Sequence, residues 1–244
     1  MALDLSLSIQ PILPKSEIAR VYQPLADYLS RQTGHNIRIK AHANFLTYWS
    51  NLTRSKGFDL VLDAAHFTDY RIQKKDYEIL AKLPDTVSFS IVTHEDNMVF
   101  ESDELILKKV ATTVSPGIGA IRLLGLFPDP MRQPKFVYAD TTNEAIQMVR
   151  EKAIFAAIIP SAMVPSFQDL NTVLSTQSLP HMAFSASPEI PPEDKAAIRK
   201  ALLEANQTPE GKAMLAKLNF ASFEPTTAEE YRGYSSLLKN VLGF

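Results

Sequence analysis

Lys109-Val-Ala-Thr-Thr-Val-Ser-Pro-Gly-Ile-Gly-Ala-Ile-Arg-Leu-Leu124 is the stretch whose reading decides the fold. It predicts a strand, a tight glycine turn at Ser115-Pro116-Gly117-Ile118-Gly119, and a helix from Ile118. A helix start presented after a strand is suited to an anion, because its N–H groups lack intrahelical partners and the dipole is positive there. The turn itself supplies one hydroxyl, Ser115, and no cation. A lone Gly-x-Gly is a weak phosphate signal, so packing of the turn competes with ligand contact at Gly117 and Ile118.

Working outward, strands and helices alternate on both sides. Leu3, Leu5, Leu7 and Ile9 alternate with polar residues and predict a strand. Ile18, Tyr22, Leu25 and Leu29 line one face of a helix that Gly34 ends. Ile37 and Ile39 predict a second strand, Phe45 to Ser55 a helix closed near Gly57, and Phe58–Asp63 a buried strand. Ser88–Thr93, Phe136–Tyr138, Phe155–Ile159 and Thr172–Ser175 extend the series, with Thr141 and Thr142 capping a helix toward Glu151. The C-terminal part reads as helices opening at Pro192, Pro209 and Ala228. This alternation predicts α/β architecture with mostly parallel sheets. Crossings near residues 88 and 182 divide it into two lobes, 1–87 with 183–244 and 88–182, joined by two hinge strands, with a ligand cleft between them.

Composition narrows the function. The chain of 244 residues carries a net charge of −2 and has no cysteine. Disulfides and thiolate chemistry are therefore excluded. Lys and Arg form no run and are not interleaved with aromatics, which argues against nucleic acid. Neither a Gly-x-Ser-x-Gly elbow nor a P-loop is present, so catalysis has no motif and no cofactor is expected. His94-Glu95-Asp96 reads as a solvated turn, because adjacent strand residues diverge and converge poorly on a metal. His35 and His42 read as surface residues. His66, after the buried strand, is a cleft candidate weighed against a structural role. Trp49, with Phe45 and Tyr48 on the second helix, reads as core packing or as an aromatic lid over an apolar ligand.

Tyr22-Gln-Pro-Leu-Ala-Asp-Tyr-Leu29 with Gly34, Phe58–Asp63, the mid-chain strand-turn-helix, Pro191–Ile198 and Thr208-Pro-Glu-Gly211 through Phe220 occur in an order that resembles the periplasmic phosphate/phosphonate-type solute-binding proteins of ABC importers. The resemblance implies the two-lobe periplasmic-binding-protein fold, a periplasmic location with the signal peptide already removed, a monomer, and a membrane permease as partner. It also implies an anion grip, a Ser-Thr-Ser-Gly turn at a helix start. Matching that glycine to Gly119 leaves Pro116, Gly117 and Ile118 at the hydroxyl positions. The family's first tyrosine falls at Phe45 and its second at or near Asp63. Its histidine falls near Thr141 and its later carboxylate near Ser161.

The departures point away from a phosphonate. A buried Asp63 beside an anion is costly at low dielectric. The expectation is therefore a neutral or apolar, lipid- or sterol-like ligand, held among Phe45, Tyr48, Ala65, His66 and Ile118, with Asp63, Ser115, Thr141 or Ser161 taking one polar group. The alternatives are a phosphate or phosphonate binder using backbone N–H groups at Gly117 to Gly119, and a ligand-sensing domain.

Overall fold

A computed structural model describes residues 2–54, 58–241 and 243–244. The chain divides into two compact units, one of residues 1–85 with 180–244, the other of 86–179.

The first unit begins with β1 (Asp4–Ile9), α1 (Lys15–Thr33), β2 (Asn36–Lys40), α2 (Phe45–Thr53), β3 (Leu60–Asp63), α3 (Ala65–Lys75) and β4 (Glu78–Lys82). The chain passes through β5 (Thr86–Val87) into the second unit. That unit holds β6 (Phe89–His94), β7 (Lys109–Thr112), α4 (Ile118–Leu126), β8 (Lys135–Tyr138), α5 (Thr142–Arg150), β9 (Ala156–Pro160) and β10 (Leu170–Ser175). It returns through β11 (Leu179–Pro180), which pairs with β5, and completes the first unit with β12 (Ala183–Ala186), α6 (Pro192–Leu203), α7 (Pro209–Leu218) and α8 (Ala228–Tyr231). The expected end of the second helix near Gly57 lies outside the described residues.

Each unit is built on a five-stranded sheet, in the order β2-β1-β3-β12-β4 in the first and β10-β6-β9-β7-β8 in the second. The pairings β1–β2, β1–β3, β7–β8 and β7–β9 are parallel. Those made by β12 and β6 are antiparallel. In each sheet four strands therefore run in one direction and one, β12 or β6, is reversed, so the sheets are mostly parallel as expected, with one antiparallel member each. The physical reason is that β6 and β12 enter their sheets straight from the crossings. A strand that arrives without a crossover helix is free to run against its neighbour.

Local sequence explains the elements. Ile18, Tyr22, Leu25 and Leu29 of α1 are buried against Leu7 and Ile9 of β1. Full burial of such side chains contributes about 1.5–3 kcal/mol each. Gly34 ends α1 in the left-handed region (φ 73°) and donates its N–H to Ser30 O. Thr208 caps α7 by accepting from Gly211 N at 3.0 Å. Among the described residues no helix is long and apolar enough to cross a membrane.

Candidate functional site: the carboxyl edge of the second sheet

In the second unit, β7, β8 and β9 run parallel and end at the same edge. Because β6 runs against β9 and β10 against β6, the start of β6 and the end of β10 lie at that edge too. The carboxyl edge of an α/β sheet is where loops and helix starts gather and where ligands commonly bind.

Hydroxyls concentrate there. Ser90 Oγ lies 2.8 Å from Ser161 Oγ and 2.8 Å from Ser175 Oγ, joining β6, the residue after β9, and the end of β10. Thr112, the last residue of β7, is 2% exposed, and its Oγ1 has no hydrogen-bond partner among the described residues. The turn then leads through the cis Ser115–Pro116 bond to Gly117, which forms the N-cap of α4. No side chain caps this helix. A Cβ placed on Gly119 would meet Thr112 Oγ1 at 3.6 Å and the Phe89 ring at 3.7 Å, so the first turn of α4 sits close over the ends of β7 and β6. Ser115 and Ile118 are half-buried and Gly117 is buried. Thr141 caps α5, accepting from Glu144 N at 3.1 Å.

The first unit gathers a different chemistry. Asp63, at the end of β3, is fully buried and accepts from the Tyr48 hydroxyl, from Thr68 Oγ1 at 3.0 Å, and from both terminal nitrogens of Arg71. Arg71 continues to Ser185 Oγ at 3.0 Å. Burial works against the Arg71 charge, but the Asp63 carboxylate more than offsets it and holds the guanidinium above its ordinary pKa. Burial, and then the Asp63 charge, push the Tyr48 phenol well up. The network is an internal ion pair whose acceptors are taken by protein donors. Asp63 and Tyr48, both named from the sequence as ligand-binding candidates, thus have internal partners. The objection that Asp63 repels an anion falls, because Arg71 cancels the charge at contact distance.

The remaining candidates of this unit lie nearby. Phe45 stacks on Phe67 with centroids 6.3 Å apart, and Trp49 packs on Tyr70. Ala65 and His66 open α3, both fully buried. His35 and His42 are buried as well, contrary to the surface reading. His35 Nε2 meets Asp194 at 3.1 Å, and His42 stacks on Phe58. Burial and the charges of Lys40 and Lys15 lower the His42 pKa to about 4. Gln10 ties three strands together, accepting from Ala64 N at 3.1 Å and donating to Met182 Sδ at 2.9 Å.

Thus the structure brings Ser115, Gly117, Ile118, Thr141 and Ser161 to one edge of one sheet, and draws Tyr48 and Asp63 into an internal network. Sequence reasoning missed Ser90, Ser175 and Thr112. Each stands in a strand with no motif around it, and only the antiparallel register Ser175↔Ser90 reveals the cluster. Arg71 was missed because it lies two helical turns beyond Asp63. Among the described residues no group of three His, Asp or Glu could hold a metal ion.

Comparison with known proteins decides the family. The model of the phosphonate ABC-transporter periplasmic substrate-binding proteins matches residues 7–231. The chain belongs to that family.

Solved structures similar to this phosphonate-binding family member share its fold. PhnD1 from Prochlorococcus marinus, in complex with methylphosphonate, superposes with a TM-score of 0.81 at 11% identity over 99% of each chain. A binding component of a phosphonate ABC transporter from Pseudomonas aeruginosa gives 0.78 at 12% identity, over 94% of this chain and 83% of that one. A Xanthomonas citri protein bound to ATP gives 0.78 at 15% identity, over 97% and 96%. At such identities the likeness shows the fold, the two-lobe α/β fold of periplasmic binding proteins. Among curated proteins no sequence matches the chain significantly.

Proposed function

We propose that this protein is the periplasmic substrate-binding component of an ABC importer, that it captures a small phosphonate- or phosphate-type oxyanion, and that it passes the ligand to a membrane permease. The observation that carries this reading is the carboxyl edge of the second sheet, which gathers the Ser90–Ser161–Ser175 hydroxyl cluster and, close to the uncapped start of α4, the unpartnered Thr112 hydroxyl. Hydroxyls and free N–H groups donate to an oxyanion without a counter-charge, and the helix dipole adds to them. Thr112 at the end of β7 stands next to the turn and offers it a hydroxyl from the neighbouring strand. Ser115, Gly117, Ile118 and Thr141 belong to this site by position, with the Gly117 to Gly119 backbone as its anchor.

The lipid- or sterol-like reading loses one of its supports, the Asp63 charge, which Arg71 neutralises. The ligands of the solved relatives named above, methylphosphonate and ATP, are polar anions. The chemistry asked of the protein is reversible binding alone.

Calorimetry and thermal unfolding with methylphosphonate, inorganic phosphate and a sterol test the proposal. A ligand at about 100 times its Kd stabilises the native state by about 2.7 kcal/mol, which is read as a rise in unfolding temperature. Ile118→Asp places a carboxylate in the first turn of α4. Two like charges 4 Å apart repel by about 4 kcal/mol at an effective dielectric of 20, so oxyanion binding should fall a hundredfold or more. Ser90→Ala should weaken it about tenfold, the worth of a hydrogen bond to a charged group. Binding of the sterol with no response to either oxyanion overturns the reading.

A further inference from the structure

The opposite edge of the second sheet carries a basic pocket that the proposed function does not use. It has a volume of about 330 Å³ and is lined by Lys108, Lys109, Lys135 and Lys152 with Asn97 and Phe155, and no carboxylate is among its lining residues. Lys109 opens β7, Lys135 opens β8 and Phe155 precedes β9, so the pocket lies at the amino ends of the parallel strands.

The four lysines differ in what balances them. Lys152 is paired with Asp96 at 2.5 Å. Lys108 stands over the Phe155 ring, 4.9 Å from its centroid, a contact that leaves its charge in place. Lys109 and Lys135 have no acidic partner among the described residues. They are direct partners in the parallel register, so their side chains leave the same face of adjacent strands, whose backbones are about 4.8 Å apart. Like charges placed opposite one another in a sheet are destabilising. A sheet edge that sets two unneutralised ammonium groups side by side, with a third beside them and a concavity between, is poised for an anion that bridges them.

We propose that this pocket binds a small multivalent oxyanion of the polyphosphate type, with Lys109 and Lys135 as its paired donors. Lys108 supplies a third charge, the Asn97 amide a neutral donor, and Phe155 an apolar wall. A monovalent ion compensates only one lysine. A chain of linked phosphates spans two or three, which is why the proposal commits to that class. The site shares no residue with the Ser90–Ser161–Ser175 edge, so the two readings stand or fall separately.

Titration of the whole protein with inorganic triphosphate, by calorimetry and thermal unfolding at low and at physiological ionic strength, tests it. The expected result is one saturable site that weakens with salt. Lys109→Met with Lys135→Met should lower its affinity tenfold or more. Lys135→Glu, which pairs with Lys109 instead of repelling it, should abolish it while the protein stays folded. Lys135→Gln should raise the unfolding temperature without the anion and shrink the rise the anion produces. Ile118→Asp should leave triphosphate binding intact, and the double methionine variant should leave methylphosphonate binding intact. Absence of binding, or binding unchanged in both Lys135→Glu and the double variant, overturns the proposal. So does an equal loss in Lys217→Met, a charge on α7 of the other unit, which marks non-specific attraction.

Discussion

Asp63 shows how one side chain changes meaning when its partner is known. Alone, a buried carboxylate argues against any anionic ligand. With Arg71 bound to it through both terminal nitrogens, it carries no net charge to oppose one. Breaking such a pair leaves the survivor buried and uncompensated. Arg71→Leu should therefore lower unfolding free energy by about 3–5 kcal/mol, measured by denaturant titration. The joint replacement Asp63→Leu with Arg71→Leu should cost clearly less, since no charge is then stranded. If the single and the double replacement cost the same, the ion pair is not what the network protects. His42 makes a second claim at this scale. Its folded pKa, about 4, lies below the unfolded value near 6.5, so the native state takes up its proton later than the unfolded chain does. Stability present above pH 6.5 is lost progressively as pH falls toward 4. In His42→Gln the stability–pH curve should be flatter across that window, and an unchanged slope removes His42 as its cause.

Among the elements, helix starts and close contacts carry the argument. Thr208 and Thr141 cap α7 and α5, and replacement of either by Ala should cost about 1 kcal/mol. Gly211 is under a harder constraint, because a Cβ there would lie 2.1 Å from Ala205 O. Gly211→Ala must push α7 off the preceding turn, at a cost of about 1–3 kcal/mol or more, visible as a lower unfolding midpoint. Legibility in the sequence divides along the same line. The strand-turn-helix from Lys109 is readable because period, glycines and an apolar helix face agree locally. The Thr141 cap is readable for the same reason. The Ser90–Ser161–Ser175 cluster is not, because its members lie 71 and 85 residues apart and meet only through antiparallel pairing. The Asp63–Arg71 pair is separated by eight residues across a strand-to-helix turn, a spacing that no simple period flags.

At the scale of the molecule, the first unit is discontinuous and the second is not. Closing the first sheet requires Ala183 to find Asp63 and Lys82 across the whole second unit. Long loops slow such pairing. In pulsed hydrogen exchange during refolding, amides of β6, β7 and β9 should gain protection before those of β4 and β12. The reverse order would mean that the first unit nucleates folding.

That β12 lies between β3 and β4 also bears on how the protein is made. β4 is an end strand whose partner strand in the sheet is β12, with a further bridge from Lys82 to Glu224, and β12 is translated 101 residues after the strand it completes, counting from Lys82 to Ala183. At about 5–20 residues per second, the nascent chain carries an open strand edge for roughly 5–20 seconds. Throughout that interval the growing polypeptide offers strangers the place reserved for its own later residues. For an exported chain the same exposure recurs as it emerges N-terminus first beyond the membrane, and a chaperone there that shields β4 until Ala183–Ala186 arrive would do the most good.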